Sequence, residues 1–260
     1  MNKFLQKVKS YISFLIFIGV LACSQNGEDP VADPDPQPDP NLNKKNVGDS
    51  SNDMLSDTNY DGITLEIVAV NGYELDNSVI DEFKSFIEML VRKPDGITVR
   101  ASSISTPGLA PYSASDLRSF EDQNRTKFND DKELAIFMFI TEDAYTNENV
   151  LGLAYRNTSF ALMGGRIREL TGGIGQPSEN LVLQTVLRHE MGHLLGLVNV
   201  GTAMQTDHQD TNNGHHCDVQ DCLMYYAVET GDFLSNIVNE TSPPALDSQC
   251  RADLTANGGK

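Results

Sequence analysis

The sequence is poor in positive charge: 19 lysines and arginines stand against 37 aspartates and glutamates, a formal net charge of −18 over 260 residues. A surface that acidic repels phosphate backbones, which argues against nucleic acid as a partner. Nucleotide cradles are lacking too. Gly172-Gly173-Ile174-Gly175 is followed by no Gly-Lys-Ser/Thr and belongs to no strand-Gly-x-Gly-x-x-Gly unit, so it reads as a flexible loop. There is no internal repeat. No apolar run is long enough for a mature membrane helix, and the run at residues 11–22 falls short of a span. Histidine is scarce, five in all, yet positions 189, 193, 208, 215 and 216 crowd one short stretch.

Lys3, Lys7 and Lys9 precede the apolar run, giving it the basic n-region and short h-region of an export signal over residues 1–22. It ends Val20-Leu21-Ala22-Cys23, which resembles the lipobox at which bacterial lipoproteins are cut and then acylated on the new N-terminal cysteine. The resemblance implies lipidation of Cys23, a bilayer as partner, and a place in the bacterial cell envelope at the outer membrane, because several acyl chains anchor stably. Cleavage removes three lysines and no acid, which moves the formal charge from −18 to −21. Residues 23–59 are polar and contain Asp33-Pro34-Asp35-Pro36-Gln37-Pro38-Asp39-Pro40. Such a stretch favours polyproline II and buries no core, so a disordered acidic tether is expected there. Glu28 and Asp29 resemble a surface-export signal, but an acidic linker carries such residues anyway, and the periplasmic or surface face stays open.

The roughly 200 residues that remain suffice for one domain, residues 60–260, expected as a monomer. Strands are expected at 63–70, 97–104, 134–140, 150–156 and 159–163, with 134–140 central in the sheet. Helical spacing of apolar residues marks 78–92 and, less regularly, 115–128, and a last helix is expected at 246–257. Pro177-Ser178-Glu179 opens another helix, with Ser178 as N-cap and Glu179 in the first turn. The order gives an α/β or α+β plan with a mixed twisted sheet.

That helix carries His189-Glu190-Met191-Gly192-His193. Residues four apart lie on one helical face, so the two imidazoles can hold one zinc ion together. Glu190 projects beside them, placed to take a proton from metal-activated water and pass it to a leaving amine.

His189-Glu190-x-x-His193-x-x-Gly196 resembles the start of the metzincin motif, whose glycine turns the chain towards a third ligand. Metzincins place that ligand three residues after the glycine, where this sequence has Asn199, an amide that zinc seldom selects. Further on, His216-Cys217-x4-Cys222-Leu223-Met224 resembles the His-Cys-x4-Cys-x-Met segment of archaemetzincins. The resemblance implies an insertion before His216, His216 as the third ligand, and Met224 as the methionine of the turn beneath the metal. It implies that Tyr226 falls where astacins and serralysins carry a tyrosine able to stabilise the tetrahedral intermediate. The implied fold is a metzincin-like zincin with an active-site helix, a small C-terminal subdomain and an edge strand at 150–156 that pairs with substrate. The implied activity is hydrolysis of extracytoplasmic proteins or peptides by a membrane-anchored zinc endopeptidase. A zinc- or peptide-binding lipoprotein without turnover stays open, as do Asp207 or Glu229 as third ligand and the rival histidines His208 and His215.

Cys217, Cys222 and Cys250 remain once Cys23 is acylated, an odd number for an oxidising compartment. One disulfide is expected, most simply Cys217 to Cys222, with Cys217 to Cys250 as rival. Archaemetzincins add a Cys-x-x-Cys and a second, structural zinc; this chain lacks that pair, so a single zinc is expected. Asp207, Asp210, Asp218 and Asp221 lack the spacing of a calcium loop and read as a solvated acidic loop, with calcium left open.

Overall fold

The computed structural model describes residues 38–260, so the export signal, Cys23 and most of the proline-rich stretch lie outside the described residues. Five strands form one sheet: β1 Gly62–Val70, β2 Gly96–Ile104, β3 Glu133–Thr141, β4 Gly152–Arg156 and β5 Ser159–Met163. Their order is β2-β1-β3-β5-β4, which places β3 at the centre. All neighbours are parallel except β4, which pairs antiparallel with β5 at the edge. β1 and β3 are buried along nearly their whole length, and their sequences are accordingly continuous apolar runs, because both faces of the sheet are covered. Alternate residues serve the two sides. Ile63, Leu65 and Ile67 of β1 with Leu134, Ile136 and Met138 of β3 pack in one cluster with helices α2 (Asn77–Leu90) and α5 (Glu179–Leu194). Val68, Phe137 and Phe139 pack on the other side with Leu117 and Phe120 of α3 (Ala114–Asn124).

α2 buries Val79, Phe83, Phe86 and Ile87, the i, i+3, i+4 stripe that the sequence displays. α3 opens on a capping box in which Ser113 Oγ accepts from the Asp116 N–H. It stops four residues before the predicted end because Arg125 leaves the helical conformation and turns inward. Its guanidinium donates to Glu121 at 2.7 Å and to the Ala135 carbonyl at 2.6 Å, both buried. β5 leads into a short helix, α4 at Gly164–Glu169, and after α5 come a long loop, two 3₁₀ turns at Tyr226–Glu229 and Gly231–Asn236, and α6 at Ser248–Ala256, capped by Asp247.

The folded body begins well before residue 60, which corrects the expected tether. A 3₁₀ turn at Pro40–Asn43 and a short helix α1 at Ser51–Leu55 pack into the domain, with Met54 and Leu55 fully buried. Asn43, also fully buried, donates to Asn129 Oδ1 at 2.7 Å, to Thr158 Oγ1 at 3.1 Å and to the Ala135 carbonyl at 3.2 Å. Asn157 donates back to the Leu42 carbonyl and to Ser50 Oγ, both at 2.8 Å. The segment is held by buried side-chain amides, whose paired donors and acceptors tolerate burial that unpaired ones would not.

Candidate metal centre

α5 is built to present one polar face within an apolar setting. Ser178 Oγ accepts from the Leu181 N–H, Glu179 sits in the first turn where the helix dipole favours an anion, and Leu181, Val182, Val186 and Leu187 are buried. His189 and His193 then fall one turn apart, and their Nε2 atoms stand 3.2 Å from each other. His189 Nδ1 lies 2.7 Å from the Leu223 carbonyl, so its Nδ1–H donates there and Nε2 turns a lone pair to the centre. Burial and the neighbouring His216 push the His189 pKa down to about 4, and burial and the other imidazoles hold His193 well below the usual range. Both rings are therefore neutral at pH 7, the form that binds metal.

Helix α5 ends at Leu194, with Leu195 as C-cap, and Gly196 at φ 77° turns the chain away. Val198 and Asn199 are also left-handed, at φ 55° and 61°, and Asn199 points outward, its amide 3.4 Å from Gln209 Oε1. The position three residues past the glycine thus faces away from the two imidazoles. His216 comes back to them. Its ring lies parallel to that of His189 at 5.3 Å between centroids and edge-on to His193 at 5.1 Å. His216 Nδ1 is 2.6 Å from the Asn213 carbonyl, which again leaves Nε2 facing inward. His215 points elsewhere, with Nδ1 3.1 Å from the Val198 carbonyl.

The turn at Met224 packs beneath the helix. Gly192 makes this possible: a Cβ there would stand 2.3 Å from Met224 Sδ, and the methionine is fully buried. The ring of Tyr226 packs on that of Tyr225 at 4.7 Å. The 3₁₀ turn that begins at Tyr226 also carries Glu229 towards the imidazoles. Ligand atoms of His189, His193, His216 and Glu229 all lie within 4.8 Å of one another. Glu190 is fully buried beside them, with neither carboxylate oxygen hydrogen-bonded. Burial first, and then the charge of Glu229, raise its pKa well above the usual carboxylate range.

The cysteines form no disulfide, against the expected Cys217 to Cys222 bridge; all three are free and buried. They gather round His208, which no spacing pattern had connected to them. His208 Nδ1 is 3.4 Å from Cys217 Sγ and 3.9 Å from Cys250 Sγ, and Cys250 Sγ is 3.7 Å from Cys222 Sγ. Sulfur ligands at about 2.3 Å round one tetrahedral zinc stand about 3.8 Å apart, so this group has the dimensions of a zinc site. Asp253 holds His208 from the far side, Oδ2 lying 2.8 Å from Nε2, which fixes the tautomer with Nδ1 free towards the sulfurs. Backbone N–H groups of Met224 and Asp247 donate to Cys222 Sγ, and the Cys217 and Cys250 thiols beside it pull its pKa well down. His208, Cys217, Asp247 and Cys250 have ligand atoms within 4.8 Å of one another. The expectation of a single metal thus meets two groups of donors. Asp207, Asp210, Asp218 and Asp221 belong to neither of the two.

No protein-family model matches the sequence, and no curated protein matches it. Among solved structures, the archaemetzincin from Methanopyrus kandleri is similar over 76% of this chain and 96% of that one, at 18% identity and a TM-score of 0.47. Metalloproteinase-II from Bacteroides fragilis is similar over 78% of this chain and 54% of that one, at 14% identity and a TM-score of 0.42. Both likenesses are distant.

Proposed function

We propose that the protein is a zinc-dependent endopeptidase of the metzincin type, exported and anchored to the bacterial cell envelope through acylated Cys23. The observation that carries the reading is the convergence of three imidazole Nε2 atoms beside a buried, unpartnered Glu190. His189, His193 and His216 would hold the ion. Zinc in that position supplies a Lewis acid and lowers the pKa of water. Glu190, with its raised proton affinity, takes the proton of the attacking water and returns it to the leaving amine. Among the described residues β4 has no strand on its outer side, so an extended peptide can add there by backbone pairing, which gives affinity with little selectivity for side chains. A second zinc would be held by His208, Cys217 and Cys250, with Asp247 of the same donor group or the neighbouring Cys222 as the fourth ligand; such a closed four-ligand site would be structural.

Glu229 favours one other reading. Four protein groups round an ion are the mark of a structural site, so the chain would bind zinc without turnover. The test is a mixed peptide library offered to chelator-stripped and zinc-reloaded protein. Cleavage that returns with zinc supports the peptidase; full zinc content with no cleavage sinks it. For the anchor, Cys23→Ser is expected to shift the protein from the membrane fraction to a soluble or uncleaved form. Recovery of cleaved Cys23→Ser protein in the membrane would refute acylation.

A further inference from the structure

Glu229 Oε2 lies 3.2 Å from His216 Nε2. His216 Nδ1 faces the Asn213 carbonyl, so Nε2 is the ring nitrogen turned to the carboxylate. Both atoms are of the kind that ligates a metal ion, and both belong to the group of donors that converges with His189 and His193. Ligand atoms 2.0–2.1 Å from one tetrahedral zinc are about 3.3 Å apart. That is the separation of His216 Nε2 from Glu229 Oε2, and also of His189 Nε2 from His193 Nε2, each 3.2 Å.

We infer that Glu229 is a fourth protein ligand to the ion held by His189, His193 and His216, closing the coordination shell of the resting protein. The inference rests on the metal centre proposed above and adds a latency to it: Glu229 would fill the position that a reacting water needs, and its withdrawal would open it. The backbone at Glu229 is pinned, since the Leu151 N–H donates to its carbonyl at 2.9 Å and the Gly231 N–H donates to the Asn149 carbonyl at 3.2 Å. Withdrawal therefore falls to the side chain, by rotation about its own bonds.

The experiment replaces zinc with Co2+ in the full-length protein and compares wild type with Glu229→Ala and Glu229→Gln by visible absorption, with azide as the added ligand. Cobalt among the thiolates has its own sulfur charge-transfer band, so the two groups are read separately. In the wild type the imidazole-centre bands should be intense, as for four-coordination, and unchanged by azide. In Glu229→Ala they should shift and respond to azide, and a chelator should strip that ion at least about tenfold faster. Should the alanine variant fail to fold, the near-isosteric glutamine variant gives the same comparison. Bands, azide response and chelator rate all equal to wild type would overturn the ligand assignment. Peptide cleavage is read in parallel. Altered bands with no cleavage by any of the proteins keep Glu229 as ligand and sink the peptidase; cleavage by the wild type with unaltered bands does the reverse.

Discussion

Glu190→Gln is expected to lower peptide hydrolysis by about two to four orders of magnitude while zinc content stays at the wild-type level. Glu190 is not among the donors that converge on the ion, so its loss as a base leaves the three imidazoles in place. Glutamine has the same shape and fits the tight space against Val186 and Gly152 that the glutamate occupies. What it lacks is a basic oxygen. The substitution should also show in stability. The folded-state pKa of Glu190 is raised, so between the unfolded pKa near 4 and the folded value the native state holds the extra proton, and stability falls as pH rises through that window. The amide does not titrate. Metal-free Glu190→Gln should therefore melt at or above the wild-type temperature at pH 8 and lose less stability between pH 5 and pH 8. Retained turnover in the variant would end the proposed chemistry, whatever the melting curves show.

His208→Ala and Cys250→Ser are each expected to reduce bound zinc from about two ions per chain to about one, and to destabilise the fold by at least about 4 kcal/mol, on the order of 10 °C in melting temperature. The large effect follows from burial. Cys217, Cys222, Cys250 and His208 are each no more than 1% exposed, so removing one leaves thiols and an imidazole deep in the core without the ion that organises them. The group also joins distant parts of the chain, since His208 lies in the loop after α5 and Cys250 in α6. Elemental analysis and thermal melts of both variants give the answer. Two zinc ions retained by His208→Ala, or a Cys217 to Cys222 disulfide found by peptide mapping, would remove the second site and restore the sulfur pairing first expected.

The features readable in the sequence are those that a local pattern determines. β1 and β3 are long β-branched and apolar runs because both faces of the sheet are covered, and α5 announces itself through Ser178, Glu179 and the helical spacing of its histidines. That His216 lies with His189 and His193 was expected only from the resemblance of His216-Cys217-x4-Cys222-Leu223-Met224 to an archaemetzincin segment. Glu229 was not, because one glutamate has no spacing to betray it, and its approach depends on a 3₁₀ turn beyond Met224. Counting cysteines led to a disulfide because parity says nothing of a fourth partner, and His208 joins the thiols only when the loop folds back. The segment at 40–56 escaped for a different reason: amides hold it, and buried amide pairs leave no hydrophobic periodicity.

Those amides also govern when the molecule can finish folding. Asn43 waits for Asn129, Ser50 for Asn157, and Ser51 for Asn257, partners 86, 107 and 206 residues further along the chain. The first part of the domain to be synthesised is thus among the last to dock, and closing loops of that length is slow compared with forming α2 or α5. If the export proposed above takes place, this segment has to stay unpaired until almost the last residue of the chain has emerged.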